Sequence, residues 1–190
     1  LHALDVRTGK PFWIFDQLKG AVLDILPIYH KAGLLIITVP NPAIELAKPF
    51  MTVVNMKDGT VAWEAEFADP VKLFKDTTPE SASEPSIETM HDLSGYQPPI
   101  YDDTSIYFTY AGLHRYDLTN GQLMWKTLYD VREGDIYRGN AQILLDGNLI
   151  YNSAKGQLQA LDRDTGRIKW ASKDFGSAVA EIAMQGDVLF

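Results

Sequence analysis

Four stretches of the chain share one pattern, and its clearest copy is Leu158-Gln-Ala-Leu-Asp162-Arg-Asp-Thr165-Gly166-Arg-Ile-Lys-Trp170. The other three copies align with it without gaps and occupy residues 1–13, 51–63 and 113–125. All four tryptophans of the 190-residue chain take the same slot, four residues after a glycine and eight after an Asp or Asn. This spacing predicts a repeated structural unit.

Each copy predicts a β-hairpin. Asp162 begins the turn, where its carboxylate can accept a hydrogen bond from a backbone N–H two residues on. Gly166 ends the turn and supplies the positive φ that the return strand needs. Trp170 then carries a large apolar area, which predicts packing of one unit against the next. The positions that take these three roles are Asp5, Gly9, Trp13, Asn55, Gly59, Trp63, Asp117, Gly121, Trp125, Asp162, Gly166 and Trp170.

A second hairpin precedes every copy except the first. One example runs from Gln142 to Leu145, turns at Asp146-Gly147, and returns from Asn148 to Asn152. A unit is therefore four antiparallel strands, named A to D, and the copies lie 50, 62 and 45 residues apart from glycine to glycine. Four strands at this period predict an all-β fold, a β-propeller of four-stranded antiparallel blades.

The predicted strands number sixteen, which is enough for four four-stranded blades. Two arrangements account for them: a closed four-bladed ring whose ends share one blade, or an arc of a larger ring. The arc is favoured, because blade contacts join nearest neighbours and the sequence stops inside a predicted strand at 188–190. The predicted segments of this single propeller unit are 1–16 (strands C and D), 22–67, 97–128 and 140–173 (complete blades), 178–190 (strands A and B), and a loop insertion at 68–96.

The connections between predicted strands divide into two groups. The A–B and C–D turns are short, whereas the B–C and D–A connections include a long loop at 40–50, the insertion at 68–96, and moderate loops at 16–26 and 129–138. Because loops on a rigid scaffold often carry function, the long-loop face is the predicted binding surface. Its candidate polar residues are His91, Asp92, Tyr96, Arg132, Glu133, Asp135 and Arg138. His2 and His114 share one repeat slot, which predicts a half-exposed blade surface there.

Composition excludes several classes of function. The net charge of −8 and the lack of a basic stripe argue against nucleic-acid binding. The longest aliphatic run, Leu34 to Val39, is too short to span a bilayer, which predicts no direct membrane span. No cysteine is present, so disulfides, thiolate metal sites and a cysteine nucleophile are ruled out. No catalytic residue and no metal site are predicted.

The pattern Leu-x-Ala-Leu-Asp-x-x-Thr-Gly-x-x-x-Trp, quoted above at 158–170, resembles the tryptophan-docking repeat of the pyrroloquinoline-quinone-like (quinoprotein) β-propellers. The resemblance covers the whole chain and implies rings of seven or eight blades. If it holds, the remaining blades of a larger ring are expected partners. The family includes periplasmic quinoprotein dehydrogenases and the non-catalytic lipoprotein of the outer-membrane barrel-assembly machinery, so it predicts the fold without selecting a function.

The resemblance leaves three functions open. The favoured one is a non-catalytic, periplasmic or extracellular scaffold, closer to the barrel-assembly lipoprotein, that binds a protein or polymer and has no cofactor. The second is part of a dehydrogenase oxidising alcohols or sugars, which would hold pyrroloquinoline quinone with Ca²⁺. Many alcohol-oxidising members carry an adjacent cysteine pair that this chain lacks. The third is a ligand-sensing propeller domain.

Overall fold

The computed structural model describes residues 1–39, 50–66, 97–109, 112–128, 143–154, 156–175, 179 and 181–190. Apart from one 3₁₀ turn at Tyr29–Lys31, all the regular structure of these residues is β. The strands are β1 (His2–Leu4), β2 (Pro11–Ile14), β3 (Ala21–Ile28), β4 (Gly33–Val39), β5 (Phe50–Asn55), β6 (Val61–Glu66), β7 (Gln97–Tyr101), β8 (Ser105–Thr109), β9 (Gly112–Asp117), β10 (Leu123–Leu128), β11 (Leu144–Asp146), β12 (Leu149–Ala154), β13 (Gln157–Asp162), β14 (Ile168–Ala171), β15 (Met184–Gln185) and β16 (Val188–Leu189).

These strands form three four-stranded sheets and two hairpins. The sheets are β3–β6, β7–β10 and β11–β14, and in each one every strand pairs antiparallel with the next along the chain. The hairpins are β1–β2 and β15–β16. Within the described residues this is the predicted pattern: two strands, three complete four-stranded units and two further strands. The all-β prediction and the four-stranded units are confirmed.

The chain divides into two compact units. The first comprises Leu1–Asp69 together with the turn Asp117–Gln122. Its core contains Phe15, Ile36 and Val54, with Trp13 and Leu34 packed against them. Strand β4 lies in the middle of the sheet and buries both of its faces, since residues 35–38 are at most 1% exposed.

The second unit comprises Pro70–Tyr116 and Leu123–Phe190. Its core contains Tyr107, Leu113, Ile143, Ile150 and Leu161. Partly buried Ile100, Trp125 and Leu145 pack against this cluster. Tyr107 of β8 and Leu113 of β9 thus share one core with Ile150 and Leu161 of the neighbouring sheet.

One loop prediction was wrong. Residues 16–26 were predicted as a D–A loop, but Ala21 begins strand β3, which continues to Ile28. Pro27 lies inside this strand, opposite Leu34. Among the described strands β3 pairs only with β4, and such an edge strand tolerates proline because an outward N–H there has no partner to lose.

The prediction for the shared histidine slot was also wrong for His114. His2 is exposed, but His114 is 1% exposed and its ring stacks with that of Tyr116 at a centroid distance of 6.1 Å. Thr52 takes the same slot and is also 1% exposed. Gln159 takes this slot in the complete sheet β11–β14 and is half-buried, so the degree of burial differs from copy to copy.

Candidate functional site

Three of the four tryptophans are docked on the turn of the next repeat copy. In each pair the indole Nε1–H donates to the carbonyl oxygen of the residue that follows the turn's Asp or Asn. The pairs are Trp13 with Met56 at 2.9 Å, Trp63 with Leu118 at 3.0 Å, and Trp125 with Arg163 at 3.0 Å. The first two pairs lie in the first unit and the third in the second unit. An indole N–H that is buried at Trp63 and partly buried at Trp13 and Trp125 is thereby satisfied at each position.

The turn glycine explains how the indole approaches so closely. Gly59 has φ +75°, and a Cβ built there would lie 2.8 Å from Cε3 of Trp13. A Cβ at Gly166, with φ +70°, would lie 2.5 Å from Cε3 of Trp125. Glycine is therefore required twice over: for its left-handed backbone and for the space that the ring occupies.

The acidic residue shapes the turn itself. Asp162 Oδ1 accepts hydrogen bonds from the hydroxyl and the backbone N–H of Thr165, at 2.8 and 3.0 Å. Lys169 Nζ lies 3.1 Å from the other oxygen, Oδ2. The Thr165 hydroxyl, followed by Lys169, lowers the pKa of Asp162 to about 2. A carboxylate held in this way fixes the backbone carbonyl that receives the indole.

An arginine cluster adjoins the third docked tryptophan. Arg163 donates from Nε to the hydroxyl oxygen of Tyr107 at 2.8 Å, and from Nη1 to the carbonyl oxygen of Gly147 at 2.8 Å. Its Nη2 donates to Oδ2 of Asp102. The Asp102 and Arg163 side chains are 18% and 23% exposed.

A second arginine completes the cluster. Arg115 donates from Nε to Ser105 Oγ at 2.9 Å and from Nη1 to the carbonyl oxygen of Arg163 at 2.8 Å. The guanidinium groups of Arg115 and Arg163 lie 5.8 and 5.7 Å from the ring centroid of Tyr107, within cation–π range. One tyrosine ring thus contacts both cations.

The electrostatics of the cluster favour its charged form. Burial alone would raise the pKa of Asp102, but hydrogen bonds from the Thr104 backbone and the Arg163 guanidinium bring it down to about 2. The pKa of Arg163 is raised above its ordinary value, first by its hydrogen bond to Tyr107 and then by Asp102. Burial raises the pKa of Tyr107. The ion pair is therefore fully formed at neutral pH.

All three nitrogens of Arg163 donate to groups of the protein, and those groups come from two sheets. Asp102 and Tyr107 belong to the β7–β8 hairpin, whereas Arg163 follows β13. These hydrogen bonds and the ion pair connect the sheet β7–β10 to the sheet β11–β14. The cluster therefore stabilises the structure.

Sequence reasoning missed this cluster, although the repeat carries a signal for it. Arg163 takes the slot after the turn's acidic residue, where the other copies have Val6, Met56 and Leu118. Arg115 takes a slot that is Ala3, Val53 and Ala160 elsewhere. Two arginines in otherwise apolar slots of successive copies indicate a polar contact between those copies.

The predicted binding residues lie outside the described residues. They are His91, Asp92, Tyr96, Arg132, Glu133, Asp135 and Arg138. In the part of the chain that the structure describes, no three or more His, Asp or Glu side chains cluster closely enough to hold a metal ion. No helix in those same ranges has the length and apolar character needed to cross a membrane.

Four-stranded antiparallel sheets linked by tryptophans docked on the next turn define the blades of a β-propeller. No protein-family model matches the chain, and no curated protein matches it. Solved structures do match.

Three of these structures are similar to this chain over most of its length. BamB from Moraxella catarrhalis has a TM-score of 0.54 and 15% identity over 86% of this chain and 40% of its own. Quinohemoprotein alcohol dehydrogenase from Comamonas testosteroni has a TM-score of 0.55 and 18% identity over 90% and 32%. The computationally designed protein Ika4 has a TM-score of 0.57 and 10% identity over 96% and 91%. The chain therefore has the fold of β-propeller blades, as its repeat predicted, and it spans less than half the length of BamB and of the dehydrogenase.

Proposed function

We propose that this chain is a non-catalytic β-propeller scaffold of the cell envelope that binds a protein or polymer partner at the loop ends of its sheets. The observation that carries the proposal is the sorting of connections by sheet end. In the sheet β3–β6, Thr38 pairs with Phe50 and Phe50 with Glu66. The connections 40–49 and 67–96 therefore leave from one end of this sheet, which we name the loop end.

The opposite end, which we name the turn end, is closed by short turns. Ile28 pairs with Gly33 across the 3₁₀ turn, and Asn55 bonds back to Thr60 across the next turn. The sheet β7–β10 is arranged alike: Tyr101 pairs with Ile106 at its turn end, and Leu128 ends β10 where the connection 129–142 begins. The connections long enough to form a binding surface for a partner therefore lie at the loop ends.

The charged residues of the turn end support the same assignment. Arg163 donates a hydrogen bond to Asp102 of the neighbouring sheet. Arg115 donates to Ser105 and to the carbonyl oxygen of Arg163, so the hydrogen-bonding groups of these residues are occupied by protein atoms. A partner would have to break these contacts in order to use them. The candidate residues named from the sequence belong instead to the loop-end connections at 67–96 and 129–142.

The likeness to BamB supports the scaffold assignment, and the location in the periplasm or outside the cell rests on the resemblance of the repeat. We propose no cofactor for this activity. The remaining blades of a larger ring are proposed as further partners.

Site-specific photo-crosslinking tests where the partner binds. A photoreactive amino acid is placed at His91 or Arg132 in the loop-end connections, and at the exposed Thr119 in a turn as the matched control. We expect a discrete adduct in the cell-envelope fraction from the first two positions and none from Thr119. Adducts formed only or equally from Thr119 would contradict the proposal.

The second candidate function is a pyrroloquinoline-quinone dehydrogenase, which the likeness to the quinohemoprotein alcohol dehydrogenase favours. It is tested by titrating the chain with pyrroloquinoline quinone and Ca²⁺ while absorbance and tryptophan fluorescence are recorded. The scaffold proposal expects no saturation at one equivalent. Stoichiometric binding together with dye-linked alcohol oxidation would reverse the assignment.

A further inference from the structure

A cleft of about 200 Å³ lies beside the docked Trp63, and all of its described lining residues belong to the first unit. Its apolar walls come from side chains that are each at most 8% exposed: Ile28, Val53, Val54, Trp63 and Leu118. An apolar cavity of about 150 Å³ is large enough to hold a benzene molecule. The cleft therefore has room for one aromatic ring, or an alkyl group of similar size, with a short extension.

The corresponding position in the second unit is filled by the arginine cluster. Beside the docked Trp125, Arg115 donates from Nε to Ser105 Oγ at 2.9 Å and from Nη1 to the carbonyl oxygen of Arg163 at 2.8 Å. The long side chain of Arg115 thus occupies the space between the sheet and the next turn, and its donors are paired with protein atoms.

The first unit has shorter residues in the same slots. The repeat aligns Val53 with Arg115 and Leu118 with Arg163. Gly33 begins strand β4 as a serine begins β8. A Cβ built at Gly33 would lie 3.2 Å from Cγ1 of Val53, so these two slots adjoin each other as the serine and arginine slots do. The cleft is the space that an arginine and a serine fill in the second unit.

The rim of the cleft is polar and basic. Lys31, Asn55 and Thr119 line it, and no Asp or Glu stands among its described lining residues. Lys31 is exposed and forms no ion pair with the part of the chain that the structure describes. In a chain of net charge −8, an apolar cleft with a single cation at its rim favours an apolar ligand that carries one negative charge.

Asn55 removes a negative charge from this site. The other three copies have an aspartate in this slot: Asp5, Asp117 and Asp162. Asn55 still shapes its turn, because Oδ1 accepts a hydrogen bond from the backbone N–H of Lys57 at 2.8 Å. An amide differs from a carboxylate in having N–H donors and no charge. The slot next to the cleft can therefore donate to an anion that an aspartate would repel.

The turn that carries Lys31 is held in place by its neighbours. Ala32 has φ +49° and is the one residue other than glycine with a positive φ among the described residues. Its carbonyl oxygen accepts a hydrogen bond from the backbone N–H of Met56 at 2.8 Å. Such a conformation persists only where the surrounding structure enforces it. Lys31 thus extends from a fixed backbone at the rim of the cleft.

We propose that this cleft binds a small monocarboxylic acid whose apolar group is about the size of a benzene ring. The apolar group lies between Val53, Trp63 and Leu118. The carboxylate lies at the rim, where the Lys31 ammonium pairs with it and the Asn55 amide donates to it. One cation matches one carboxylate, and charge-assisted hydrogen bonds of this kind are the stronger ones.

The test is a titration of the full 190-residue chain with 3-phenylpropionate at pH 7, followed by NMR of ¹⁵N-labelled tryptophan. We expect the Nε1–H resonance of Trp63 to shift and to saturate, with a dissociation constant on the order of 1 mM or below for a ligand of about eleven non-hydrogen atoms. The resonance of Trp125 is the internal control and stays in place, because Arg115 fills the space beside it. 3-Phenylpropanol has the same ring without the charge and should bind about threefold or more weakly.

Two substitutions separate the ionic contact from the fold. Lys31→Met removes the exposed cation, and Asn55→Asp introduces the residue that the other copies have in this slot, so the turn is retained. Each should raise the dissociation constant of 3-phenylpropionate by about threefold or more and leave that of 3-phenylpropanol unchanged. Lys10→Met is the matched control, since Lys10 is an exposed cation of the same unit that does not line the cleft. It should leave the binding of both compounds unchanged.

Several results would overturn the proposal. They are the lack of a saturable shift at Trp63, equal binding of the acid and the alcohol, and an unchanged dissociation constant in Lys31→Met or Asn55→Asp. The peptide Gly-Gly-Phe presents the same ring and carboxylate at a chain end, and we expect it to bind more weakly because it must also order its backbone. Tighter binding of the peptide would assign the cleft to the end of a protein chain and overturn its assignment to a small molecule. None of these readouts depends on the envelope partner proposed above.

Discussion

The turns at 55–59 and 162–166 perform the same task with different residues beside them. Both place a carbonyl under an indole N–H, from Trp13 at 2.9 Å and from Trp125 at 3.0 Å. The residue that supplies this carbonyl is Met56 in the first unit and Arg163 in the second. The indole contact is thus the same in both units, whereas the residue that supplies the carbonyl is an apolar Met56 in one and an ion-paired Arg163 in the other.

The comparison separates two kinds of stabilisation. A docked indole contributes through buried area and one hydrogen bond, neither of which depends on pH in the ordinary range. The arginine cluster contributes through charge-assisted hydrogen bonds, which require Asp102 to be ionised. The following substitutions disturb one kind while leaving the other in place.

The largest effect is expected from Gly121→Ala. Gly121 has φ +72° and lies against the ring of Trp63, so a methyl group adds a steric clash to the backbone penalty. Together they should lower the free energy of unfolding by about 3 kcal/mol or more. Gly9→Ala is the matched control, because φ is +67° there and the space is open. Denaturant titration should show a loss of only about 1 kcal/mol for the control, and equal losses would mean that the indole contact does not constrain the glycine.

A smaller loss in the free energy of unfolding is expected from Arg163→Met, which gives this position the residue that the repeat has at Met56. Asp102 and Tyr107 lose their guanidinium partner while remaining largely enclosed, which should cost about 2 kcal/mol. Arg167→Met is the control, since Arg167 lies on the same hairpin and is exposed. Its effect should stay within about 0.5 kcal/mol. A neutral Arg163→Met would show that apolar packing alone suffices in the second unit.

The smallest effect is one of pH dependence. The pKa of Asp102 is about 2 in the folded chain and 3.8 as its ordinary value, so its contribution is present above about pH 4 and is lost as pH falls through 2. Asp102→Asn should therefore be less stable than the wild type by about 1 kcal/mol at neutral pH. That difference should close towards pH 2. Asp103→Asn, in the same turn and exposed, should follow the wild-type curve throughout; a gap for Asp102→Asn that persisted at pH 2 would exclude the ionised carboxylate as its source.

The fold was predictable from the sequence because its determinants are local and repeated. Asp162, Gly166 and Trp170 stand at fixed spacing, and turn chemistry follows from single residues such as a glycine at positive φ. The first part of strand β3, residues 21–26, was mispredicted as loop because it contains Asp24, which is typical of loops, although the strand lies at a sheet edge where such a residue is tolerated. Local propensity contains no information on that placement.

The site was less predictable, since its parts come from different copies. Asp102 and Arg163 are 61 residues apart, and although Arg163 stands in an otherwise apolar slot, the sequence does not identify Asp102 as its partner. The exposure of Trp170 agrees with the order of the copies, because each docked tryptophan contacts the turn of the next copy and 158–170 is the last copy in the printed sequence.

Indole N–H exchange with solvent tests the central claim most directly. With ¹⁵N-labelled tryptophan, the four Nε1–H resonances are assigned by single Trp→Phe variants and their exchange rates measured in dilute solution. The account predicts three protected indoles, Trp13, Trp63 and Trp125, and one freely exchanging indole, Trp170. Four indoles exchanging alike, or rapid exchange at Trp63, would contradict it.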